Sequence, residues 1–362
     1  MVLEVDQSNL HRTRLIEEPA RPLGDGEVRL RVERFGLSSN NVTYAVMGKA
    51  LQYWQFFPAA ADPDGTTWGR VPVWGFAEVT ESRTLRVEEG RRVFGYLPAS
   101  TELVIEAGRV DDHQFIDVVE HRRDLPSSYN GYRFCDTDRI WRHDREPHQM
   151  VFVPLFFTSF VIDDFLVDNE MFGAQTTVIS SASSKTSIGV AHLLHSRGQG
   201  RVLGLTSSPH VAFVKGLGCY DDVLTYDQVS ELAQTPAAYV DVAGNRDVLA
   251  AVHTHLGEQL RYSMLVGDTH WDHHAEAAAE IPGPKPQFLF APTQLKKRAG
   301  EWGRNGLDER LSDAWEGFCS FLDGWVHYEY ADTPEAVQAT YLALTDGQID
   351  PKVGHVCAMG PL

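Results

Sequence analysis

The chain has 362 residues, which is long for one hydrophobic core and predicts two domains. Its 50 acidic and 32 basic residues give a net charge of −18, which argues against nucleic acids and anionic membranes as partners. The amino-terminal residues lack the apolar core of a secretory signal, and the four cysteines are too widely spaced for Cys-x-x-Cys zinc geometry. We therefore expect reduced thiols and a cytoplasmic location.

The first 110 residues predict a β-rich region. Apolar and polar residues alternate from Glu27 to Phe35, which is typical of a half-buried strand. Residues 71–82 and 91–106 predict short strands broken by glycine and proline. Residues 111–148 are polar and irregular, and predict an inserted lid or binding loop.

A different pattern begins near residue 150. The apolar run at 151–162 is too short to span a bilayer and contains Pro154, so we interpret it as buried core. Short apolar strands then alternate with helical patterns, which predicts an α/β fold with a doubly wound parallel sheet. The predicted strands are 176–181, 201–208, 221–227, 237–244, 260–268, 285–294 and 354–362. The predicted helices are 187–198, 209–218, 228–234, 245–257, 306–324 and 333–347.

The first strand–helix connection of this region, SASSKTS at 181–187, has the arrangement of a phosphate-binding turn. Backbone N–H groups and the positive end of a helix point at such a turn. Glycine is usual there, because it permits sharp backbone angles and close approach to phosphate. In this chain serine, lysine and threonine take those places.

Two interpretations of the turn remain open. In one, serine hydroxyls and the Lys185 ammonium contact a pyrophosphate directly. In the other, the turn has lost its nucleotide and is a serine-rich helix cap on a fold that serves another chemistry. A P-loop fits poorly, because it needs glycine where the chain has Ile179 and Ser184.

The ordered succession of segments resembles the zinc-independent, quinone-reductase-like part of the medium-chain dehydrogenase/reductase superfamily. The resemblance is carried by residues 26–50, 90–98, 153–166 and 202–227. Residues 38–46 and 288–294 also resemble a domain family of unknown function. The resemblance implies a GroES-like substrate domain at 1–148 with an inserted loop at 111–148, a Rossmann-type domain at 149–295, and a return to the substrate domain at 296–362.

The resemblance further implies an NADPH-dependent, metal-independent oxidoreductase that reduces a small carbonyl or enone. It implies a homodimer formed through the edge of the Rossmann sheet near 288–294. Aligned with the family's GAxGGVG turn, the four glycine places become Ser181, Ser184, Lys185 and Ser187.

The end of the second strand bears on the choice of cofactor. No acidic residue is present in LTSSPH, so a ribose 2′-phosphate would not be repelled and NADPH is favoured over NADH. The family often has a lysine near Val211; here Lys215 and Lys352 are possible substitutes. The expected cofactor contacts are Ser181, Ser183, Ser184, Lys185, Thr186, Thr206, Ser207, Ser208, Tyr226, Gly244, Gly267 and Lys352.

Candidate catalytic residues come from the first domain. Asn41 falls where the family usually has Asp, and its amide can donate a hydrogen bond to a carbonyl oxygen. Tyr44 or Tyr53 could supply a proton. Trp54, Tyr129, Asn130 and Tyr132 are expected to contact the substrate, although aromatic core packing or a surface loop explains such residues equally well.

A metal site is not expected. The His270, His273 and His274 cluster comes from one loop, whereas a metal needs convergent ligands from several segments. Two other functions remain open because the glycines of the turn are missing. One is a non-redox enzyme, such as a lyase or retro-aldol catalyst, with a degenerate or structural nucleotide site; the other is a nucleotide-binding protein without catalysis.

Overall fold

The computed structural model describes residues 1–242, 244–266, 281–289, 291–348 and 350–360. It contains two compact units, Met1–Val153 with Val326–Leu362, and Pro154–Trp325. The strands are β1 (Val2–Asp6), β2 (Asn9–Ile16), β3 (Glu27–Leu37), β4 (Trp68–Gly69), β5 (Pro72–Ser82), β6 (Arg92–Pro98), β7 (Glu102–Gly108), β8 (Gln114–Asp117), β9 (Gly131–Phe134), β10 (Thr176–Ile179), β11 (Arg201–Thr206), β12 (Asp222–Thr225), β13 (Ala237–Asp241), β14 (Leu260–Leu265), β15 (Gln287–Phe288), β16 (His327–Ala331) and β17 (Val353–Cys357).

The helices of the described residues are α1 (Ser39–Val46), α2 (Glu146–Asp168), α3 (Lys185–Arg197), α4 (Val211–Gly216), α5 (Arg246–Leu256), α6 (Ala291–Leu322) and α7 (Pro334–Thr345). Helix α6 is interrupted at Gly303, which has a φ of 71°. As expected, α7 begins with Thr333 as its N-cap, whose hydroxyl accepts a hydrogen bond from the Ala336 amide at 3.2 Å.

The first unit is built on an eight-stranded sheet in the order β16-β17-β3-β5-β6-β9-β8-β7. Strand β7 also pairs with β3, so the six strands from β3 to β7 in this order close on themselves as a barrel. Alternate residues of β3, such as Val28 and Leu30, are fully buried, as their period of two predicts. A smaller sheet, β2-β1-β4, belongs to the same unit.

Part of the predicted loop at 111–148 is regular structure. Strands β8 and β9 lie within it, and they pair with each other and with β7 and β6. Phe115, Tyr132 and Phe134 on these strands are fully buried. Each of these strands has only four residues, which is too short for a clear alternation of apolar and polar positions. Their side chains are buried by neighbouring strands of the barrel, which the local sequence does not show.

The second unit contains a six-stranded sheet in the order β12-β11-β10-β13-β14-β15, and every pairing in it is parallel. If these six strands are numbered in chain order from β10, the sheet has the 3-2-1-4-5-6 order of a Rossmann fold. The predicted fold class, a β-rich unit plus a doubly wound parallel sheet, is therefore confirmed. Residues 285–294, predicted as a strand, contribute only the two residues of β15 before α6 begins. Residues 228–234, predicted as an α-helix, belong instead to a 3-10 turn at Tyr226–Glu231 and the residues after it.

Helix α2 is longer than the apolar run that predicted it. Residues 143–168 form a helical stretch long and apolar enough, by length and composition, to cross a membrane. However, 67% of its most apolar window is buried within the protein, and Phe152, Ile162 and Leu166 are fully buried. This burial agrees with the interpretation of the run as core.

The unit boundaries differ from the predicted domain limits, since residues 296–325 lie in the second unit. Helix α6 packs on α3 through aromatic rings. The His192 ring stacks on Phe321 at 4.5 Å between centroids and lies 5.5 Å from Phe318. Burial of the imidazole lowers the pKa of His192 to about 4, and His195 adds a smaller effect in the same direction.

We predict that His192 makes the second unit acid-sensitive. The folded pKa of about 4 lies below the unfolded value near 6.5. The unfolded chain therefore binds the proton first, and stability present above pH 6.5 is lost as the pH falls towards 4. His192→Phe keeps the ring contacts and should remove this loss, which we expect to be about 1–2 kcal/mol for a partly exposed ring. Calorimetric unfolding at pH 7.5 and 5.0 measures this loss of stability. If the stability of His192→Phe depends on pH as much as that of the wild type, the prediction is contradicted. The control is His113→Phe, because His113 is exposed.

Candidate nucleotide-binding turn and aromatic cluster

Strands β10 and β13 are neighbours at the point where the strand order reverses. Ligands of such sheets bind in the crevice at the carboxyl ends of the strands at this point. The Ser180 hydroxyl, directly after β10, donates to the Asp241 carboxylate at the end of β13 at 2.7 Å. Both residues are buried, and the carboxylate also accepts from the Tyr239 hydroxyl at 3.3 Å and the Gly244 amide at 3.2 Å. Buried donors thus fix the start of the turn to the neighbouring strand.

Ser181 takes the left-handed conformation that glycine usually supplies at the first place of such a turn. Its φ is 50°, and its amide donates to the Tyr226 hydroxyl at 3.2 Å. The next amide, of Ala182, donates to the Leu205 carbonyl of β11 at 2.9 Å. A Cβ on Gly204 would lie 2.8 Å from that of Ala182, so the glycine of the adjacent strand makes room for the turn.

The serine at the second glycine place is a helix cap. Ser184 is the N-cap of α3, and its hydroxyl accepts from the Ser187 amide at 3.2 Å. The Ser184 hydroxyl donates to that of Ser187, which in turn donates to the Ser180 carbonyl, each at 2.9 Å. The cap that sequence analysis kept open as an alternative is therefore present. It also orients the first turn of α3, where Lys185 and Thr186 are the first two residues.

A histidine joins the two turns that end β10 and β11. The His210 Nδ1 atom lies 3.0 Å from the Ser183 hydroxyl and 3.3 Å from the Ser207 hydroxyl. His210 ends a 3-10 turn at Ser208–His210, in which Pro209 stands near the start. The sequence gives no role to His210, the last residue of LTSSPH, because only the fold brings its ring to Ser183.

The other expected cofactor residues are placed differently. Thr206 is buried at the end of β11, Ser208 is exposed, and Gly244 has a φ of 63° at the end of β13. Lys352 belongs to the first unit, where its carbonyl accepts from the His327 amide. Gly267 and the His270, His273 and His274 cluster lie outside the described residues.

The first unit brings together a second group of candidate residues, which we call the aromatic cluster. It contains Tyr44, Tyr53, Phe56, Phe57, Trp74, Tyr96 and Tyr129. Tyr96 lies at its centre, with its ring centroid 4.7 Å from that of Tyr129, 5.1 Å from that of Trp74 and 5.7 Å from that of Tyr44. The hydroxyls of Tyr53 and Tyr129 are 3.4 Å apart, and the Trp74 indole donates to the Tyr44 hydroxyl at 3.3 Å.

Asn41 lies next to this cluster on α1, but its amide is used within the unit. Its Oδ1 accepts from the Ser38 amide at 2.8 Å, and its Nδ2 donates to the Pro72 carbonyl at 2.9 Å. The first bond is half of a capping box, and the second ties α1 to the start of β5. Asn41 therefore positions the helix that carries Tyr44.

Three further predicted substrate residues are held in the interior of the unit. Trp54 packs against Gly48 and Gly69. Asn130 and Tyr132 are buried and hydrogen bonded to the Arg122 guanidinium, at 3.1 Å each. The same guanidinium donates to the Tyr129 carbonyl at 2.9 Å and to Asp117 at 2.8 Å. These contacts hold Tyr129 against the aromatic cluster.

Within the part of the chain that the structure describes, no group of three or more His, Cys, Asp or Glu side chains could hold a metal ion. All four cysteines are buried and free, which agrees with the expectation of reduced thiols.

We predict that the left-handed backbone at Ser181 is strained because the residue has a Cβ atom. A residue with a Cβ pays about 1–2 kcal/mol for the left-handed conformation, and glycine does not. Ser181→Gly should therefore be more stable than Ser181→Ala, by about 1 kcal/mol, which is the reverse of their order in a helix interior. Chemical denaturation of the two variants measures the difference. Equal stability, or a more stable alanine variant, would show that position 181 does not need this conformation.

Comparison with known proteins agrees with the fold. A family model described as "Protein of unknown function (DUF2855)" matches residues 35–350, and no curated protein matches the sequence. CurA from Vibrio vulnificus, solved in complex with NADPH, is 14% identical with a TM-score of 0.61, over 97% of this chain and 95% of CurA. The quinone oxidoreductase from Coxiella burnetii is 13% identical with a TM-score of 0.56, over 99% and 98%.

A third solved structure is the Haloferax mediterranei glucose dehydrogenase, in complex with NADP, Zn and gluconolactone. It is 11% identical with a TM-score of 0.55, over 100% of this chain and 99% of the dehydrogenase. These proteins share the fold of medium-chain dehydrogenases/reductases, so the resemblance found in the sequence is confirmed at the level of fold. The match to a family of unknown function also confirms the resemblance of residues 38–46 and 288–294 to such a family.

Proposed function

The chain belongs to the DUF2855 family, and we propose that it is an NADPH-dependent, metal-independent oxidoreductase that reduces a small carbonyl or enone compound. One observation carries the proposal. The turn after β10, at the reversal of strand order, keeps its shape without glycine and presents the amino-terminal end of α3 together with Lys185. That arrangement suits a pyrophosphate, because the helix end and the ammonium both attract an anion.

Lys185 supports the proposal through its place in the helix. It is the first residue of α3, beside the positive end of the helix dipole. A phosphate bound there would be attracted by both the helix end and the ammonium. With Ser184 used as the cap, we assign the pyrophosphate contacts to Lys185 and the Thr186 amide.

The adenosine end would be held at the Ser183–Ser207–His210 group. No carboxylate is present in residues 206–211, and the two hydroxyls and the imidazole are hydrogen-bonding groups that suit a 2′-phosphate. Tyr226 holds the Ser181 amide from the adjoining 3-10 turn and so keeps the turn in register. NADPH bound here would supply a hydride.

The substrate would be held by tyrosine hydroxyls of the first unit. Burial raises the pKa of Tyr44 and of Tyr53, so both are protonated at neutral pH and can donate to a carbonyl oxygen. Such donors stabilise the negative charge that develops on the oxygen, which is the task a metal ion would otherwise perform. This chemistry supports a metal-independent reaction, with Asn41 orienting the helix of Tyr44.

The proposal includes a cytoplasmic homodimer. The four buried, free thiols support a reducing compartment. Among the described residues, strand β15 lies at the edge of its sheet with β14 as its neighbour, and an edge of this kind can pair with a second copy of the chain.

A second candidate function rests on the hydroxyls of the turn. Ser183, Ser184 and Ser187 all have partners within the protein, as they would in a turn that holds no phosphate. In that case the protein is a non-redox enzyme, for example a lyase or retro-aldol catalyst, on the same fold. Fluorescence titration of the protein with NADPH and NADH separates the candidates, because the first requires NADPH binding.

We predict that Ser207 sets the cofactor preference. The wild-type protein should bind NADPH more tightly than NADH. Ser207→Asp places a carboxylate where the 2′-phosphate would lie, and should reverse or abolish that preference through charge repulsion. The measurement is the ratio of the two dissociation constants. Ser207→Ala is the matched control, since it removes the hydroxyl without adding charge. An unchanged ratio in Ser207→Asp would refute the assignment.

We predict that Lys185 serves binding more than folding. Lys185→Ala should weaken NADPH binding about tenfold or more, because a charge-assisted contact contributes about 1.5–3 kcal/mol. The melting temperature without ligand should change little, since an ammonium near solvent contributes little to stability. Lys296→Ala, on the exposed face of α6, is the control and should bind NADPH normally. Wild-type affinity in Lys185→Ala would favour the second candidate function.

A further inference from the structure

The Tyr96 hydroxyl is the exceptional group of the aromatic cluster. It is completely buried and has no hydrogen-bond partner among the residues that the structure describes. The other three tyrosine hydroxyls of the cluster each have a partner, in Trp74 or in one another. A buried donor without a partner costs free energy, and phenylalanine would fill the same space without that cost. The oxygen at this place therefore indicates an acceptor that the described residues do not supply.

The surroundings of Tyr96 define the charge of that acceptor. Arg122 is close enough to Tyr96 to interact with it electrostatically, and its guanidinium lies over the Phe56 and Phe57 rings at 5.4 and 4.9 Å from their centroids. Asp117 pairs with it, and it also donates to Asn130, Tyr132 and the Tyr129 carbonyl. Its charge is therefore already compensated by Asp117. A carboxylate or phosphate in the cluster would be left without a counter-charge, so the ligand is neutral.

The rings define the shape of the ligand. Tyr53, Trp74 and Tyr129 are partly exposed, whereas Tyr44, Phe56 and Tyr96 are buried behind them. The hydroxyls of the partly exposed Tyr53 and Tyr129 are 3.4 Å apart, at the weak end of hydrogen bonding. A ligand that entered between these two side chains would occupy a space bounded by aromatic faces and edges. Such a space suits a flat ring, which stacks or packs edge-on against its neighbours.

We propose that the aromatic cluster is the substrate site of the first unit, and that it binds a neutral aromatic ketone or enone whose oxygen accepts a hydrogen bond from the Tyr96 hydroxyl. This inference rests on the proposed reductase function, because the ligand is the compound to be reduced. Tyr44 and Tyr53 are close enough to Tyr96 to interact with it electrostatically, and they offer the oxygen further donors. Burial raises the pKa of all three hydroxyls, so each keeps its proton at neutral pH.

The test uses three probes that differ in one property each, measured by isothermal titration calorimetry with the full chain. The first is trans-4-phenyl-3-buten-2-one, an aromatic enone. The second is trans-cinnamate, of similar size but anionic. The third is 3-penten-2-one, an enone without the ring. The aromatic enone should bind at least tenfold more tightly than either of the others. Equal binding of cinnamate would overturn the neutral assignment, and equal binding of 3-penten-2-one would overturn the aromatic one.

Two variants locate the site. Tyr96→Phe removes one oxygen and keeps the ring, so the unliganded protein should be at least as stable as the wild type. Its affinity for the aromatic enone should fall about three- to tenfold, the effect of one lost hydrogen bond. Tyr129→Leu should reduce the preference for the aromatic enone over 3-penten-2-one. If Tyr96→Phe gains stability but binds the aromatic enone like the wild type, the cluster is core packing and the proposal fails. The control is Tyr330→Phe, on the exposed side of β16, which should bind the aromatic enone like the wild type.

The titrations are made both without nucleotide and with saturating NADP⁺, so that an ordered binding sequence is detected. If NADPH does not bind but the aromatic enone does, the reductase function fails and the site stands. If NADPH binds and the aromatic enone binds in neither condition, the reductase function stands and the substrate site is wrong.

Discussion

The hydrogen bond between the Ser180 hydroxyl and the Asp241 carboxylate is the contact on which the second unit's site depends. It joins the ends of two adjacent parallel strands at the place where the strand order reverses. A carboxylate buried there is tolerated only with donors, and Ser180, Tyr239 and the Gly244 amide supply them. Once this carboxylate is satisfied, the direction in which the chain leaves β10 is fixed. The turn and the start of α3 follow from that direction.

The turn shows how a backbone shape that usually needs glycine can be kept with other residues. Ser181 adopts the left-handed conformation, and its amide is held by Tyr226. Ser184 and Ser187 form a chain of hydrogen bonds that caps the helix and ties it back to Ser180. Space for the turn comes from Gly204 on the neighbouring strand. Hydroxyls that hold the turn in shape are less free to contact a ligand, which leaves Lys185 and the Ser183–His210 pair as the groups that distinguish this turn from a plain helix cap.

The sequence predicted the parallel sheet well, because each of its strands is a short apolar run followed by a turn signal. It also predicted the position of the turn and the alternative of a serine-rich helix cap, which the structure places at Ser184, since both depend on neighbours in sequence. Strands β8 and β9 were missed because their burial comes from the rest of the barrel. The extent of the second unit was missed because α6 is held there by rings on α3, which are distant in sequence.

The roles of single residues were harder to predict, because they also depend on contacts with residues that are distant in sequence. Asn41 has the right chemistry for a substrate contact, but Ser38 and Pro72 occupy both ends of its amide. Tyr96 lies in an ordinary strand pattern, and only the absence of a partner for its hydroxyl among the described residues sets it apart. His210 likewise becomes notable only when the fold brings Ser183 to its ring. Each of these roles depends on what lies opposite the side chain.

The net charge explains why the two candidate sites are built so differently. A chain with a charge of −18 repels an anionic cofactor at long range, but at physiological salt this field is screened beyond about 8 Å. Attraction must then come from groups within that distance. The end of α3 and Lys185 are such groups. The turn and residues 206–211 contain no carboxylate, and the Asp241 carboxylate beside Ser180 is compensated by its own donors. The aromatic cluster works without charge, because a neutral ligand does not respond to the net field. On the proposed function, this acidic protein would take an anion in one unit through a helix dipole and a lysine, and a neutral compound in the other through apolar contact and hydroxyl donors.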